Sequence, residues 1–346
     1  MGDRVIGIDA GGTMTKAALF DLDGHELACA RSRNVMMFPQ PGWTERDADR
    51  MWNAAASAIA QVLEDSGTAP SDVAAISVSG YGSGLYLLDE GGNPVRPGIV
   101  STDSRALSLF EDWQAQGLCG QVEQVIQQTV WPGQSLMLLA WLQRHEPEVL
   151  ERTHRVSFCK DFLRGRLCGD LSTDYTDAGS AGLLNLTTGR WAEDALRLLG
   201  MEAWIPKLPD LGPSDAVAGT ITAGAAALTG LREGTPVVRG TVDMSASALA
   251  SHLVQPDHMS VVAGTFSIAT TLHPAVPKMD TVPMLQFPYP LGGYLAVQGS
   301  ATSASNLEWV VKTVLAHGGA LPEEASGDIY ETVNAAVARS LGQVSD

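Results

Sequence analysis

The chain has 346 residues, 45% of them hydrophobic and 18% charged, so it can bury a sizeable core and its composition argues against intrinsic disorder. Lys and Arg number 22 against 39 Asp and Glu, and the resulting net charge of −17 argues against nucleic acid or an anionic membrane as a partner. Four dispersed cysteines, no apolar leader and no apolar run near the ~20 residues of a membrane span indicate a cytoplasmic protein with free thiols.

The predicted elements alternate between strands and helices, which indicates an α/β fold. Residues 4–20 predict two strands around a glycine turn, 25–35 a third strand and 73–80 a buried strand. A hairpin turn is expected at 91–94, and helices are expected at 51–65, 104–116, 135–145, 192–199 and 246–253. A shift in composition over 204–240 places the expected domain boundary at about residue 240, giving domains 1–240 and 241–346.

Two stretches repeat the same form, a strand, a Gly-Thr turn and a second strand. They are VIGIDAGGTMTKAALFDLDG at 5–24 and MSVVAGTFSIATTLHP at 259–274. Two such turns facing each other across a cleft would place backbone N–H groups and hydroxyls around a polyphosphate. The alternative is a pair of ordinary hairpins whose glycines serve only the turn.

The first turn holds candidates for phosphoryl transfer. Asp9 ends the first strand and either holds Mg²⁺ or caps the turn. Thr13, Thr15 and Lys16 offer donors to phosphate oxygens, although Lys16 is also compatible with a solvated strand position.

Asp243, in PVVRGTVDMSASALASHL, follows a strand and precedes a helix. It is either an N-cap or a general base, which we expect to be ionised at neutral pH and to accept the proton of an attacking hydroxyl.

Three further residues are candidates for binding a polyol. Trp43, in the loop FPQPGWTERD, either covers the apolar face of a sugar or packs in the core. Asp103 and Arg105 follow a strand, and they either bind hydroxyls or complement the dipole at the start of a helix. The sequence has no histidine metal motif, GxSxG elbow, Walker pattern or GxGxxG after a strand, so it gives no support for those classes of enzyme.

The chain resembles the FGGY carbohydrate kinases through four stretches: GIDAGGTMTKAALFD, PGWTERD, GTVDMSASAL and GTFSIATT. The resemblance implies an actin-like ATPase fold with ribonuclease-H-like domains. It implies that Asp243 is the proton acceptor and that Asp9 organises ATP with Mg²⁺. It also assigns the nucleotide phosphates to Gly11, Gly12, Thr13, Thr15, Lys16, Gly264 and Thr265.

Within the family, SGYGSGLYLLDEGGNPVRPGIVSTDSRA is most similar to kinases of L-xylulose or 3-keto-L-gulonate. The resemblance implies that Gly82, Ser83, Trp43, Asp103, Arg105 and Asp243 border the sugar. D-xylulose kinases usually have Met-His where Gly82 and Ser83 stand, which disfavours D-xylulose. Leu138 replaces a lysine common in the family, a tolerable change in a structural helix.

The glycine-rich adenine-binding motif of the family does not occur in this sequence, so we expect a complete first domain and an incomplete second domain. The leading hypothesis is an ATP-dependent kinase of a ketose or polyol. The alternatives are a sugar-binding remnant of such a kinase and an ATPase switch, which the sugar-kinase stretches disfavour. The expected partner is a small sugar, with no nucleic acid or membrane, and a homodimer is one assembly compatible with the sequence.

Overall fold

The computed structural model describes residues 2–263, 267–278, 284–300, 304–315 and 329–343. Two residues assigned to the second phosphate motif, Gly264 and Thr265, lie outside the described residues. In the described part of the chain, no helix combines the length and apolarity that a membrane crossing requires.

Strands occur throughout the described residues. In chain order they are β1 (Arg4–Ala10), β2 (Met14–Asp21), β3 (Glu26–Arg33), β4 (Met36–Met37), β5 (Glu45–Arg46), β6 (Val73–Gly80), β7 (Tyr86–Leu88), β8 (Gly98–Ile99), β9 (Arg155–Ser157), β10 (Thr173–Asp174), β11 (Leu184–Asn185), β12 (Arg190–Trp191), β13 (Leu211–Gly212), β14 (Val217–Thr220), β15 (Pro236–Val242), β16 (Met259–Ala263), β17 (Ser267–His273), β18 (Leu285–Pro288) and β19 (Tyr294–Ser300).

The α-helices are α1 (Ala48–Ser66), α2 (Leu107–Ala115), α3 (Leu118–Ile126), α4 (Ser135–His145), α5 (Pro147–Arg152), α6 (Cys159–Cys168), α7 (Tyr175–Ser180), α8 (Glu193–Leu198), α9 (Ala223–Thr229), α10 (Asp243–Ala250), α11 (Ala304–Trp309) and α12 (Ile329–Gln343). Short 3-10 segments cover Pro70–Asp72 and Glu202–Lys207, and a π-helical segment covers Val310–Leu315.

The main sheet has six strands in the order β14-β15-β6-β1-β2-β3. Its three central strands, β15, β6 and β1, are parallel to one another. The register pairs Ala10 with Gly80 and Val242 with Gly80, so all three strands end at the same edge of the sheet. Because ligands of open α/β sheets bind beyond the carboxyl ends of parallel strands, this edge is where a site is expected.

Alternating side chains of β1, β2 and β6 build the larger core, for example Ile8, Leu19 and Val78. Helix α1 covers this face with buried residues spaced along one stripe, including Ile59 and Val62. A second core, built largely by helices α2 to α4 and α8, is centred on residues such as Leu139 and is separate from the core under the sheet.

The first three predicted strands and the helix at 135–145 are confirmed. The helix expected at 51–65 begins earlier, at Ala48, because the Asp47 side chain accepts the N–H of Arg50 and caps the first turn. The helix expected at 246–253 begins at Asp243 and ends at Ala250. Helices α6 and α7 were not predicted from the sequence.

The chain divides into two compact units. The first comprises residues 1–258 and 271–296, and it contains the six-stranded sheet and both cores. The second comprises 259–270 and 297–346, with β16, α11 and α12 among its described elements. The expected domain boundary at about residue 240 stays a prediction.

Candidate active site

Three loops leave the carboxyl edge of the main sheet side by side. The first follows β1 with Gly11 and Gly12, the second follows β6 with Tyr81 and Gly82, and the third leads from β15 directly into Asp243. The register of the strands therefore brings the first phosphate motif, the proposed sugar loop and the proposed general base to one edge.

Asp243 is the first residue of α10, and the N-cap position belongs to Val242. The Oδ1 atom of Asp243 accepts the backbone N–H of Met244 at 2.7 Å, which leaves Oδ2 for another partner. Burial raises the pKa of Asp243 to about 7, the Met244 N–H opposes the rise, and the negative charge of Asp9 adds to it. The expectation that Asp243 is ionised at neutral pH is therefore corrected, because a carboxyl group with this pKa is about half protonated at pH 7.

Asp9 is the residue of the first motif that contributes to the electrostatics of Asp243. It pairs across the hairpin with Lys16, whose Nζ lies 3.4 Å from Asp9 Oδ2, and both side chains are somewhat less than half exposed. Mg²⁺ favours one or two carboxylates together with phosphate oxygens. Asp9 is a part-exposed carboxylate that interacts electrostatically with a second one, Asp243. This pair fits that donor set, so Asp9 is compatible with the metal role assigned to it.

The glycine turn is held from beneath by side chains. Asn34 Nδ2 donates to the carbonyl of Gly11 at 2.8 Å, and Arg46 Nη2 donates to the carbonyls of Gly11 and Gly12 at 2.9 and 3.1 Å. A Cβ atom at Gly11 would lie 2.9 Å from the Met14 carbonyl oxygen, so a side chain there would force the turn to shift. The turn therefore has a fixed backbone conformation before any ligand arrives.

Two threonines of the motif have different environments. Thr13 is exposed at the tip of the turn, as a phosphate donor should be. Thr15 is fully buried, and its hydroxyl donates to Asn34 Oδ1 at 3.0 Å. The expected contact between the Thr15 hydroxyl and a phosphate is thus not supported, and Thr15 instead orients the Asn34 amide that holds the turn.

The loop after β6 packs against the segment that carries Asp243. A Cβ atom on Gly82 would lie 2.6 Å from Ser180 Oγ and 2.7 Å from Val242 Cγ2, so only glycine allows this close approach. Ser83 has a positive φ of 64°, is buried and donates its hydroxyl to the Ser180 carbonyl at 2.6 Å. The Ser83 hydroxyl thus fixes the loop.

Trp43, Asp103 and Arg105 form a cluster of their own. The Arg105 guanidinium lies 4.0 Å from the centroid of the Trp43 ring, and its Nε donates to Asp103 Oδ1 at 2.9 Å. Trp43 also meets Trp141 edge-on at 5.2 Å, so it contributes to packing. Asp103 is buried and accepts the backbone N–H of Thr44 at 2.6 Å, and Ala106 is the N-cap of α2. The alternative that this pair only complements a helix dipole is therefore not supported.

One donor of this cluster has no hydrogen-bond partner in the part of the chain that the structure describes. Arg105 Nη2 donates to Glu45 at 2.7 Å, whereas Nη1 is buried without a hydrogen-bond partner among the described residues. A buried donor without a partner is costly, and a ligand oxygen would satisfy it. This atom is the feature of the cluster that suits a hydroxyl-bearing ligand best.

Sequence reasoning missed a buried ionic cluster next to β15. The Lys160 ammonium lies 2.6 Å from Asp161, 2.9 Å from Asp174 and 3.4 Å from Asp177, and all four side chains are almost completely buried. Burial raises the pKa of Asp177 well above its ordinary value, and the pKa of Asp174 is lowered by Lys160 and its hydrogen bonds, which outweigh burial. The available signal was the run of charged residues in the two nearby segments CKDFLRGRLC and STDYTD, which together hold six of them.

Residues 4–250 match the N-terminal domain of the FGGY family of carbohydrate kinases, and the chain belongs to this family. Among its relatives, a probable L-xylulose kinase from Pasteurella multocida is 37% identical over 89% of this chain and 64% of its own length. The L-xylulose/3-keto-L-gulonate kinase from Escherichia coli is 32% identical over 88% of this chain and 61% of its own length. The chain thus spans somewhat less than two thirds of these relatives.

The crystal structure of a xylulose kinase from Rhodospirillum rubrum is similar with a TM-score of 0.82 and 28% identity, covering 94% of this chain and 68% of that one. The expected fold class, an α/β actin-like ATPase fold with its first domain present, is confirmed by this likeness.

Proposed function

We propose that the chain phosphorylates a hydroxyl group of a small ketose or polyol, with ATP as the phosphate donor and Asp243 as the general base. The observation that carries the proposal is the meeting of Asp243, Asp9 and the glycine turn at one edge of three parallel strands. Phosphoryl transfer needs phosphate donors, a metal and an acceptor for the proton of the hydroxyl, and this edge offers candidates for each.

In the proposed step, Asp243 Oδ2 accepts the proton of the sugar hydroxyl as its oxygen bonds to the γ-phosphorus. The bond from that phosphorus to the bridging oxygen breaks, and ADP leaves. A base with a pKa near 7 is well matched to neutral conditions, since it is ionised in part and accepts a proton readily. Asp9 would hold Mg²⁺, which when bound neutralises charge on the phosphate oxygens.

The Lys16 ammonium and the backbone N–H groups of the glycine turn supply positive charge for the phosphates in this proposal. Gly264 and Thr265 are proposed as the corresponding donors of the second motif. For the sugar, we propose contacts from the Gly82 and Ser83 loop and from the unpartnered Nη1 atom of Arg105. The names of the relatives favour L-xylulose or 3-keto-L-gulonate as the substrate.

The test is ADP release by the purified chain with Mg-ATP and each of L-xylulose, 3-keto-L-gulonate, D-xylulose, D-ribulose, glycerol and erythritol. Asp243→Asn is the matched control because it keeps the shape of the side chain and removes the base. Sugar-dependent release that the control lacks would support the proposal and name the substrate.

If none of the sugars causes ADP release, turnover by this chain is refuted. A rise in melting temperature with one sugar, without ADP release, would then identify the chain as a sugar-binding protein.

A further inference from the structure

Arg46 is a buried cation directly beneath the glycine turn. It lies in β5, its residue is 1% exposed, and its Nη2 atom donates to the carbonyl oxygens of Gly11 and Gly12. It belongs to the stretch PGWTERD, which the sequence connects with sugar rather than phosphate. Its contacts instead show that Arg46 holds the backbone of the glycine turn, which is part of the first phosphate motif.

The charge of Arg46 has no carboxylate partner within 4.0 Å among the described residues, in contrast to the buried Arg105 and Arg164. Its Nη1 atom faces the sulfur of Met51 at 3.1 Å, and its guanidinium lies 5.7 Å from the centroid of the Tyr81 ring. The nearby Cys159 thiol is neutral at physiological pH, because burial raises its pKa to about 12. Among the described residues, the positive charge therefore meets carbonyl dipoles, a sulfur atom and an aromatic ring, but no carboxylate within 4.0 Å.

A buried cation without a counterion is costly, and an anion bound close by would offset that cost. The contacts also show on which side of the turn the anion would lie. In a trans peptide, the C=O and the following N–H point in opposite directions. Since the carbonyls of Gly11 and Gly12 point to Arg46, the N–H groups of Gly12 and Thr13 point away from it.

We propose that Arg46 is a positioning residue for the polyphosphate of the nucleotide. It fixes the glycine turn with its N–H groups outward and supplies a buried positive charge that the phosphates offset. Asn34 assists from a second side by its bond to the Gly11 carbonyl. This inference rests on the proposed function, because it concerns the phosphate side of the same site.

The experiment measures the Kd of Mg-ADP and of pyrophosphate by calorimetry for the full chain and its variants. Arg46→Met keeps the approximate volume and removes the charge and the donors, whereas Arg46→Lys keeps the charge. We expect Arg46→Met to weaken both ligands by about tenfold or more, the usual scale for a charge-assisted hydrogen bond, and Arg46→Lys to recover part of the loss.

The matched control is Arg155→Met, since Arg155 also donates to a backbone carbonyl, that of Leu208 at 2.6 Å. Its affinities should equal those of the unmodified chain. Circular dichroism establishes that each variant is folded. If Arg46→Met fails to fold, Arg46→Lys and Asn34→Ala decide, and we expect each to weaken pyrophosphate binding.

Equal binding by the unmodified chain and the folded Arg46 variants would overturn this inference and leave the proposed function intact. Absence of Mg-ADP and pyrophosphate binding by the unmodified chain would instead defeat the proposed nucleotide site, and the role of Arg46 with it.

Discussion

The hydroxyl oxygen of Thr176 accepts the backbone N–H of Val242 at 2.9 Å, one residue before Asp243. The same hydroxyl lies 3.0 Å from that of Thr241. Thr176 stands in the first turn of α7, where the Asp174 side chain accepts its backbone N–H. Because Asp174 is paired with Lys160, the buried ionic cluster and the proposed base are connected through one threonine.

Replacing Thr176 with valine should lower the turnover of the proposed reaction by about tenfold with little change in KM, because an unpaired Val242 N–H would loosen the backbone at Asp243. Steady-state kinetics measure both constants. Thr176→Ser retains the acceptor and should restore most of the turnover. Equal loss in both variants would show that the hydroxyl does not position Asp243.

The pKa of Asp243 makes a prediction for stability that needs no substrate. The folded chain holds this proton up to about pH 7, whereas an unfolded Asp releases it near pH 4, so the contribution of Asp243 to stability falls as pH rises between these values. The side chain in Asp243→Asn cannot ionise. The unfolding free energy of this variant at pH 8 should therefore exceed that of the unmodified chain by roughly 3–4 kcal/mol, the scale that a pKa shift of this size implies.

Urea unfolding of the two proteins at pH 5 and pH 8 measures this difference. The gain from Asp243→Asn should shrink on going from pH 8 to pH 5. A gain that is independent of pH would contradict the raised pKa.

The buried cluster allows two matched substitutions, which should differ in how much stability they cost. Asp174→Asn removes one of the carboxylates that pair with Lys160 and should cost about 3–5 kcal/mol of unfolding free energy, as breaking a buried ion pair usually does. Asp177→Asn should cost less than Asp174→Asn, because burial raises the pKa of Asp177 whereas the pKa of Asp174 is lowered by Lys160 and its hydrogen bonds. Denaturant unfolding at pH 7 compares them, and similar losses would show that Asp177 is charged.

Gly82→Ala should destabilise the loop after β6, since the added Cβ would overlap Ser180 Oγ and Val242 Cγ2. We expect a loss of about 1–3 kcal/mol and weaker sugar binding, measured by thermal unfolding with and without the substrate sugar. Gly224→Ala is the control, because nothing lies within 4 Å of a Cβ there and α9 should gain helix propensity. A neutral Gly82→Ala would mean that the loop moves freely.

Local patterns predicted the parts of the fold that depend on local chemistry. The alternation in residues 4–20 and the apolar spacing in 135–145 each correspond to an observed element. Helix α6 escaped prediction because Lys160, Asp161 and Arg164 interrupt its apolar pattern. Two partners of Lys160, Asp174 and Asp177, lie in other elements of the chain, so the sequence alone could not indicate that these charges would be buried together.

In the candidate site too, local sequence predicted some features, whereas others depend on contacts between residues that are distant in the chain. The motifs identified Asp9 and Asp243, whose positions depend on where strands end. The pKa of Asp243 depends on burial, which the folded structure sets and a local motif does not reveal. The expectation that Asp243 is ionised at neutral pH was therefore wrong. Thr15 was misjudged for a related reason, because the alternation of β2 turns its side chain inward while the neighbouring Lys16 is part-exposed.

Strand β5 consists of only Glu45 and Arg46, and neighbouring strand residues point to opposite faces. Glu45 accordingly meets Arg105, while Arg46 meets the carbonyls of the glycine turn. A shift of one residue would exchange the two faces and place a carboxylate beneath that turn. Evolution and protein engineering can therefore change the composition of the loop before β5, but an insertion or deletion there would have to preserve this alternation.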